Sequence, residues 1–123
     1  MQYMLLLYID EQAAAAESEE DRQAMFKEYF ALTADLSEKG IYQAGAPLEA
    51  TTSATTVRVR DHDQLVTDGP FAETKEQLGG YFLIEAESLD DALEVAARIP
   101  AARTGSVEIR PVVPVAVREA AAG

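Results

Sequence analysis

Three stretches of the chain show the hydrophobic pattern of β-strands. Residues 3–9 and 81–84 are apolar on both faces of an extended chain, which is typical of strands in the centre of a sheet. Residues 107–110 instead alternate apolar and charged side chains, as an edge strand does. A further short strand is predicted over residues 41–46, where Pro47 ends it.

Two helices are predicted between these strands. Ser18 begins the first helix, because its hydroxyl can cap the helix and Asp21 follows at the spacing of a capping box. Apolar residues then recur at helical spacing as far as Leu36. Ser88 begins a second, shorter helix, which must end before Pro100.

The middle of the chain is predicted to be a β-hairpin followed by an irregular loop. Residues 55–67 alternate apolar and polar side chains on either side of a turn at 61–63. The sequence Asp68-Gly69-Pro70 forms another turn, and Gly79-Gly80 is expected to break regular structure.

These elements follow the order strand, helix, strand, hairpin, strand, helix, strand. Two βαβ units in this order form a ferredoxin-like sheet, so the predicted fold is α+β, βαββαβ with an inserted hairpin. Residues 10–16 and 100–105 are expected to be plain connections, residues 1–113 a single domain and residues 114–123 a tail. Since two helices cover one face of such a sheet, a second copy of the chain is expected to cover the other, giving a homodimer.

Composition limits the partners of this chain. The 123 residues include 22 acidic and 10 basic side chains, and the net charge of −12 opposes binding to nucleic acid or to an anionic membrane. The chain has no cysteine and a single histidine, so no metal and no cofactor are expected. The N-terminus lacks a signal-peptide pattern, and the apolar runs are shorter than the roughly 20 residues that cross a bilayer, which indicates a cytoplasmic location.

A motif lies between the hairpin and the second central strand. Residues 66–82 include the run Asp68-Gly69-Pro70-Phe71-Ala72-Glu73-Thr74-Lys75. This motif resembles the signature of the YCII-related family, in the branch named for Asp-Gly-Pro-Phe, and the resemblance extends over nearly the whole chain. It implies a dimeric α+β barrel of two ferredoxin-like sheets, and it implies no single activity. Relatives are linked to lyase or isomerase chemistry on small molecules, and this branch to extracytoplasmic-function sigma factors.

The chain departs from the family at one position. Other YCII-like proteins have a histidine on the first helix that is proposed to pair with an aspartate as a catalytic dyad. The first helix of this chain carries Met25, Phe26, Lys27 and Glu28 instead. Because the one histidine, His62, lies in the hairpin turn, the dyad is not carried over.

The loop after the hairpin contains the candidate catalytic residues Asp68, Glu73 and Lys75. A carboxylate beside an ammonium group is suited to acid–base chemistry, because each group shifts the pKa of the other. In the alternative interpretation, Asp68 only caps its turn and the other two charges form a solvated ion pair. The loop is expected to fold against the opening of a cavity, with Phe71 buried beneath the turn.

Four residues are candidate ligand contacts: Arg58, Phe71, Tyr42 and Tyr81. Arg58 and its neighbour Arg60 could clamp a carboxylate, or they pair with acidic residues of the chain itself. Phe71 is either a packing residue or a stacking surface. The two tyrosines combine ring surface with a hydroxyl that can orient a ligand, and they serve equally well as core residues.

Three hypotheses follow for the function. The first is a homodimer whose cavity binds a small organic molecule, for which an anion is one candidate. The resemblance implies lyase or isomerase chemistry on this molecule. The second is a regulatory protein that contacts a partner such as a sigma factor through its surface. The third is a ligand-binding module without catalysis. A pocket lined by the candidate residues favours the first hypothesis, and an exposed patch favours the second.

Overall fold

A computed structural model describes residues 1–115 of the chain, so the end of the predicted tail lies outside the described residues. The elements are β1 (Gln2–Ile9), α1 (Glu11–Ala15), α2 (Glu19–Glu38), β2 (Tyr42–Pro47), β3 (Thr55–Arg60), β4 (Asp63–Asp68), β5 (Gln77–Glu85), α3 (Leu89–Arg98), α4 (Ala101–Thr104) and β6 (Ser106–Pro111).

Four strands form one antiparallel sheet in the order β2-β5-β1-β6, and β3 and β4 form a separate hairpin. The strands β1 and β5 therefore occupy the centre, as their two apolar faces predict. This is the ferredoxin-like order with an inserted hairpin, and the α+β fold class is confirmed. The chain alone forms an open sheet rather than a closed barrel.

Helices cover one face of the sheet and form the core with it. The predicted N-caps are confirmed, because the Ser18 and Ser88 hydroxyls accept hydrogen bonds from the backbone N–H groups of Asp21 and Asp91. The core combines side chains of β1, β5, α2 and α3: Tyr3, Leu5, Leu7, Phe82, Ile84, Leu32, Leu36, Ala92, Val95 and Ala96. Leu5, Leu36 and Ile84 are completely buried.

Two segments that were expected to be plain connections are short helices. Asp10 caps α1, since its carboxylate accepts hydrogen bonds from the backbone N–H groups of Gln12 (3.0 Å) and Ala13 (3.2 Å). The alanines that follow are strong helix formers although they give no apolar stripe. The second helix, α4, begins directly after Pro100, whose fixed φ suits a helix start. Both expectations were wrong because they relied on apolar periodicity, which a single helical turn cannot show.

The strand β5 begins four residues before its predicted start and runs through Gly79 and Gly80. The pairing with β1 shifts between Leu7↔Gly80 and Tyr8↔Leu78, so Gly79 is the extra residue of a β-bulge. A Cβ atom at Gly80 would stand 3.1 Å from the carbonyl oxygen of Ala46. The glycine pair therefore permits a bulge and a close approach of two strands, and the expectation that it breaks regular structure was wrong.

The helix-free face of the sheet is only partly covered within one chain. Its apolar centre consists of partly buried side chains from β1 and β5: Met4, Leu6, Tyr8, Tyr81 and Leu83. At the edge, the Tyr8 hydroxyl donates a hydrogen bond to Glu108 (3.3 Å). Burial raises the pKa of Tyr8 most, and the nearby Glu108 carboxylate raises it further. The expectation that both faces of the central strands are buried is thus not met by the single chain.

Candidate functional site

A cavity of about 590 Å³ lies between the helix-covered face of the sheet and the first half of α2. The helix packs closely only through its second half, where Leu32 and Leu36 are buried. On the N-terminal side of this contact, Phe26 is 71% exposed and Phe30 is 69% exposed, and both line the cavity. The predicted apolar stripe of α2 therefore serves two purposes, since one half builds the core and the other half forms a cavity wall.

Small residues of the sheet leave this space open. Gly45 and Gly80 lie on the helix-covered side of β2 and β5, and both line the cavity. Further along the same face, Phe82 and Ile84 fill the gap to the helices. Because a glycine has no side chain to fill the space beneath α2, the end of the sheet near Ile9 keeps a void where the other end has a core.

Two tyrosines bring hydroxyl groups to the cavity from opposite sides. Tyr42 lies over Gly45, and its hydroxyl oxygen is 2.7 Å from the point that a Cβ atom of residue 45 would occupy. Its ring packs edge-on against Phe82, with ring centres 5.6 Å apart. Tyr29 approaches Phe82 from α2 at 6.4 Å. Burial raises the pKa of Tyr29, so its hydroxyl stays protonated at neutral pH and is a hydrogen-bond donor.

Charged groups stand at the rim of the cavity. They are the carboxylates of Asp10 and Glu17 and the guanidinium of Arg22. Arg22 is already engaged, because it donates to the carbonyl oxygen of Glu17 (3.0 Å) and lies 3.6 Å from the Glu19 carboxylate. Within residues 1–115 the rim therefore carries net negative charge, and its cationic group Arg22 has partners within the chain.

Of the seven candidate residues, Tyr42 and Tyr81 line the cavity. The side chain of Tyr81 belongs to the helix-free face opposite Leu6, and its backbone oxygen lies beside Gly45 on the cavity side. The other five lie elsewhere in the single chain: Asp68, Glu73, Lys75, Arg58 and Phe71. All five are exposed. A role for them at a ligand site stays a prediction, and the structure does not bring them together with the two tyrosines.

The loop around Phe71 does not fold as expected. Phe71 is 78% exposed, so the expectation of its burial beneath the turn is wrong for the single chain. The preceding hairpin is itself exposed on both faces and offers no core for the ring. Local polar contacts hold the turn instead: the Thr56 hydroxyl donates to the Gly69 carbonyl (2.8 Å), and Arg58 lies 3.5 Å from the Phe71 carbonyl.

Sequence reasoning missed the residues that shape the cavity. These are the short helix α1 with Ala13 and Ala14, the glycines of β2 and β5, and Thr33 of α2. A capping aspartate before the alanine run was the available signal for α1. Small residues in a sequence do not by themselves predict a cavity, because the space above them depends on which helix packs opposite them.

Within residues 1–115, no group of three or more His, Asp or Glu side chains is placed to hold a metal ion. No helix in this part of the chain is both long enough and apolar enough to cross a membrane.

Comparison with known proteins identifies the family. The model of the YCII-related domain matches residues 1–116. The chain belongs to the YCII-related family. An uncharacterized protein of Rhizobium meliloti (strain 1021) is 42% identical to this YCII-related chain over 113 residues, which are 90% of this chain and 91% of that protein.

A solved structure is also similar to the YCII-related chain. It is the 5-chloro-2-hydroxyhydroquinone dehydrochlorinase (TftG) from Burkholderia phenoliruptrix AC1100, in complex with 2,5-dihydroxybenzoquinone. The TM-score is 0.47 at 17% sequence identity, and the match covers 94% of this chain and 96% of that chain.

Surface ion pairs hold the cavity wall α2 against later elements, and they predict an effect of pH. Hydrogen bonds from Arg103 (2.6 Å) lower the pKa of Glu28, and one from Arg98 (2.7 Å) lowers that of Asp35. A carboxylate with a lowered folded-state pKa stabilises the fold above its unfolded pKa, and this contribution is lost as pH falls through the folded pKa. We therefore expect the natural chain to have a higher free energy of unfolding than Glu28→Gln at neutral pH. This difference should decrease as the pH is lowered to about 3.

Urea unfolding at several pH values, with Glu20→Gln as a control on the same helix, measures this effect. Glu20 is exposed and forms no ion pair in the described chain. The effect is small because both partners of the Glu28 pair are exposed. A difference that grows on acidification would contradict the assignment.

Proposed function

We propose that this protein binds a small, uncharged organic molecule in the cavity between α2 and the sheet. The observation that supports the proposal is the cavity itself, whose volume of about 590 Å³ is that of a small-molecule site. Apolar and aromatic side chains form most of its lining, and the few polar groups include the hydroxyls of Tyr29 and Tyr42. This is the usual composition of a site in which ring surface supplies affinity and a few hydroxyls supply orientation.

The charges of the lining favour an uncharged ligand over the anion that was considered from the sequence. Asp10 and Glu17 repel an anion at the rim, while Arg22 is held by Glu17 and Glu19. The net charge of −12 adds a long-range repulsion. An anion would lose its hydration on entry and would gain no free cation among residues 1–115 in return.

Catalysis of the lyase or isomerase type would require groups that move a proton. In this cavity these are the hydroxyl of Tyr42, the hydroxyl of Tyr29 and the rim carboxylates of Asp10 and Glu17. Asp10 already accepts two backbone hydrogen bonds as the cap of α1, so the tyrosines are the better candidates. If such a reaction exists, Tyr42→Phe should lower its rate more than it lowers ligand affinity.

Binding of a simple probe tests the proposal. We expect 4-methylphenol, an uncharged ring with one hydroxyl, to bind with a Kd of about 1 mM or below in titration calorimetry. The matched anion 4-methylbenzoate should bind at least about tenfold more weakly. Equal or tighter binding of the anion would contradict the uncharged ligand while leaving the cavity as the site.

A pair of substitutions on α1 tests the location of the site. Ala14 lines the cavity, whereas Ala15, its neighbour on the same helix, is exposed and does not. We expect Ala14→Phe to fill the cavity and to weaken 4-methylphenol binding at least about tenfold, and Ala15→Phe to leave it unchanged. Equal effects of the two variants would place the probe elsewhere. Failure of every probe to bind would favour the regulatory alternative, in which the exposed hairpin contacts a protein such as a sigma factor.

We further propose that the protein is a homodimer that associates through the helix-free face. The centre of that face, which includes the partly buried Met4, Leu6 and Leu83, supports this assembly because contiguous apolar surface is costly to leave in water. Sedimentation equilibrium at micromolar concentration should give twice the chain mass of 13.3 kDa. A single 13.3 kDa species at every concentration would exclude the dimer.

A further inference from the structure

The hairpin formed by β3 and β4, residues 55–68, projects from the sheet with little cover; we call it the arm. Its strands pair only with each other, in a regular register from Thr55↔Asp68 to Arg60↔Asp63. On one side of the arm, Val57 stands directly opposite Val66, with Val59 beside them, and each is about 60% exposed. This side is the valine face. The opposite side carries Arg58, Arg60 and Leu65.

A hairpin of this kind requires a partner surface. An isolated two-stranded hairpin is at best marginally stable in water, and additional strands or a packed element are needed to stabilise it. Within residues 1–115 no helix or strand covers the valine face, since its three valines are all exposed. The described part of the chain thus leaves the valine face without a cover.

The base of the arm is fixed to the sheet, so its exposure is not a sign of a loose attachment. The Leu48 N–H donates to the Gly79 carbonyl (2.9 Å), and the Gly69 N–H donates to the Ala54 carbonyl (2.7 Å). The Glu11 carboxylate accepts a hydrogen bond from the Thr51 N–H (2.9 Å), which ties the base to α1. These bonds fix the segment that leads into the arm and close its base.

The accessible surface of the chain agrees with a buried arm. The chain exposes 9019 Å², whereas a compact monomer of this mass exposes about 6,400 Å². Even if residues 116–123 accounted for all of the roughly 1,000 Å² that an open chain of eight residues exposes, about 1,500 Å² of excess would remain. A standard interface buries about 800 Å² on each partner. The excess is sufficient for a stable dimer.

We propose that the arm docks on a second copy of this chain, with its valine face against the helix-free face of that copy. In the chain the arm lies between β2 and β5, the strands that carry Ala46, Tyr81 and Leu83 of the helix-free face. Each copy supplies one arm and one open face. Two copies related by a two-fold axis therefore cover both surfaces in both chains at once.

Charge argues against a nucleic acid or an anionic membrane as the partner of the arm. The net charge of −12 opposes anionic surfaces of either kind. The ion pairs of residues 1–115 do not include Arg58 or Arg60. Together with Asp61, Asp63 and Asp68 they leave the arm at a net charge of −1, so the arm adds little to the repulsion between two acidic chains. This inference rests on the proposed homodimer and is independent of the ligand site.

Two adjacent residues of β4 provide a matched test. Val66 belongs to the valine face, and Leu65 points to the opposite side with similar exposure. In sedimentation experiments we expect Val66→Asp to raise the dimer Kd by about tenfold or more, because docking would bury its carboxylate. We expect Leu65→Asp to change it by less than about threefold. Circular dichroism establishes that both variants are folded.

A fluorescence measurement supports the test where a variant fails to fold. The chain has no tryptophan, so Val57→Trp places a single reporter on the valine face. We expect its emission to be blue-shifted at dimer-forming concentrations and to shift red on dilution. A natural chain that is monomeric throughout would refute the dimer itself. A dimer whose Kd responds equally to both aspartates, or a tryptophan that stays solvated in it, would refute arm docking and leave the dimer standing.

Discussion

Replacing Phe82 with alanine is expected to lower the free energy of unfolding by about 3–5 kcal/mol. Phe82 is 6% exposed and lies between the core and the cavity, where its ring contacts those of Tyr29 and Tyr42. Removing the ring deletes buried apolar surface and joins a new void to the existing cavity. The surrounding structure can fill this void only in part, because the neighbouring sheet residues Gly45 and Gly80 have no side chains that could move into it.

Urea unfolding monitored by circular dichroism measures this loss, with Phe30→Ala as the control. Phe30 is a phenylalanine of the same cavity region but is 69% exposed, so its replacement should change stability by less than about 1 kcal/mol. Equal losses for the two variants would mean that α2 packs more closely on the sheet than the structure shows. The exposed Phe71 is likewise not expected to support the core of a single chain.

The second large effect is expected for Gly105→Ala, at about 3 kcal/mol of lost stability. A Cβ atom at residue 105 would collide with the backbone carbonyl oxygen of Tyr8 and stand 3.3 Å from the Cα atom of Ile9. No side-chain rotation can relieve a contact with backbone. The start of β6 would have to move away from β1, which would break pairing at the edge of the sheet.

Gly79→Ala is the control for this prediction. Its Cβ atom would meet the side chain of Ile9 at 2.9 Å, and the end of an isoleucine side chain can turn aside. We expect a loss of about 1 kcal/mol there, measured by the same unfolding experiment. A Gly105→Ala variant as stable as Gly79→Ala would show that the β1–β6 pairing tolerates a shift.

The sheet could be predicted from the sequence because its signals are local. Residues 3–9 and 81–84 are apolar on both faces, and that pattern alone places β1 and β5 in the centre. Capping serines likewise mark the starts of α2 and α3. The short helix α1 and the bulge at Gly79 were not predicted, since a single turn and a one-residue insertion leave no periodic pattern to detect.

The candidate site was predictable only in part. Tyr42 and Tyr81 were selected as aromatic residues on strands, and both line the cavity. The charged residues Glu73 and Lys75 were selected because charge in a turn-rich loop suggests chemistry, and the structure places them away from the cavity. The cavity arises from a long-range relation, in which small residues of the sheet lie opposite the first half of α2. Such a relation becomes visible only when the chain is folded.

Mapping amide chemical shifts by NMR during a titration with 4-methylphenol tests the central claim most directly. If the cavity is the ligand site, saturable shift changes should cluster at residues that line it, such as Gly45, Gly80 and Thr33. The amides of the arm, including Val57 and Val66, should not respond. Absence of saturable changes around the cavity, or changes confined to the arm, would contradict a small-molecule site between α2 and the sheet.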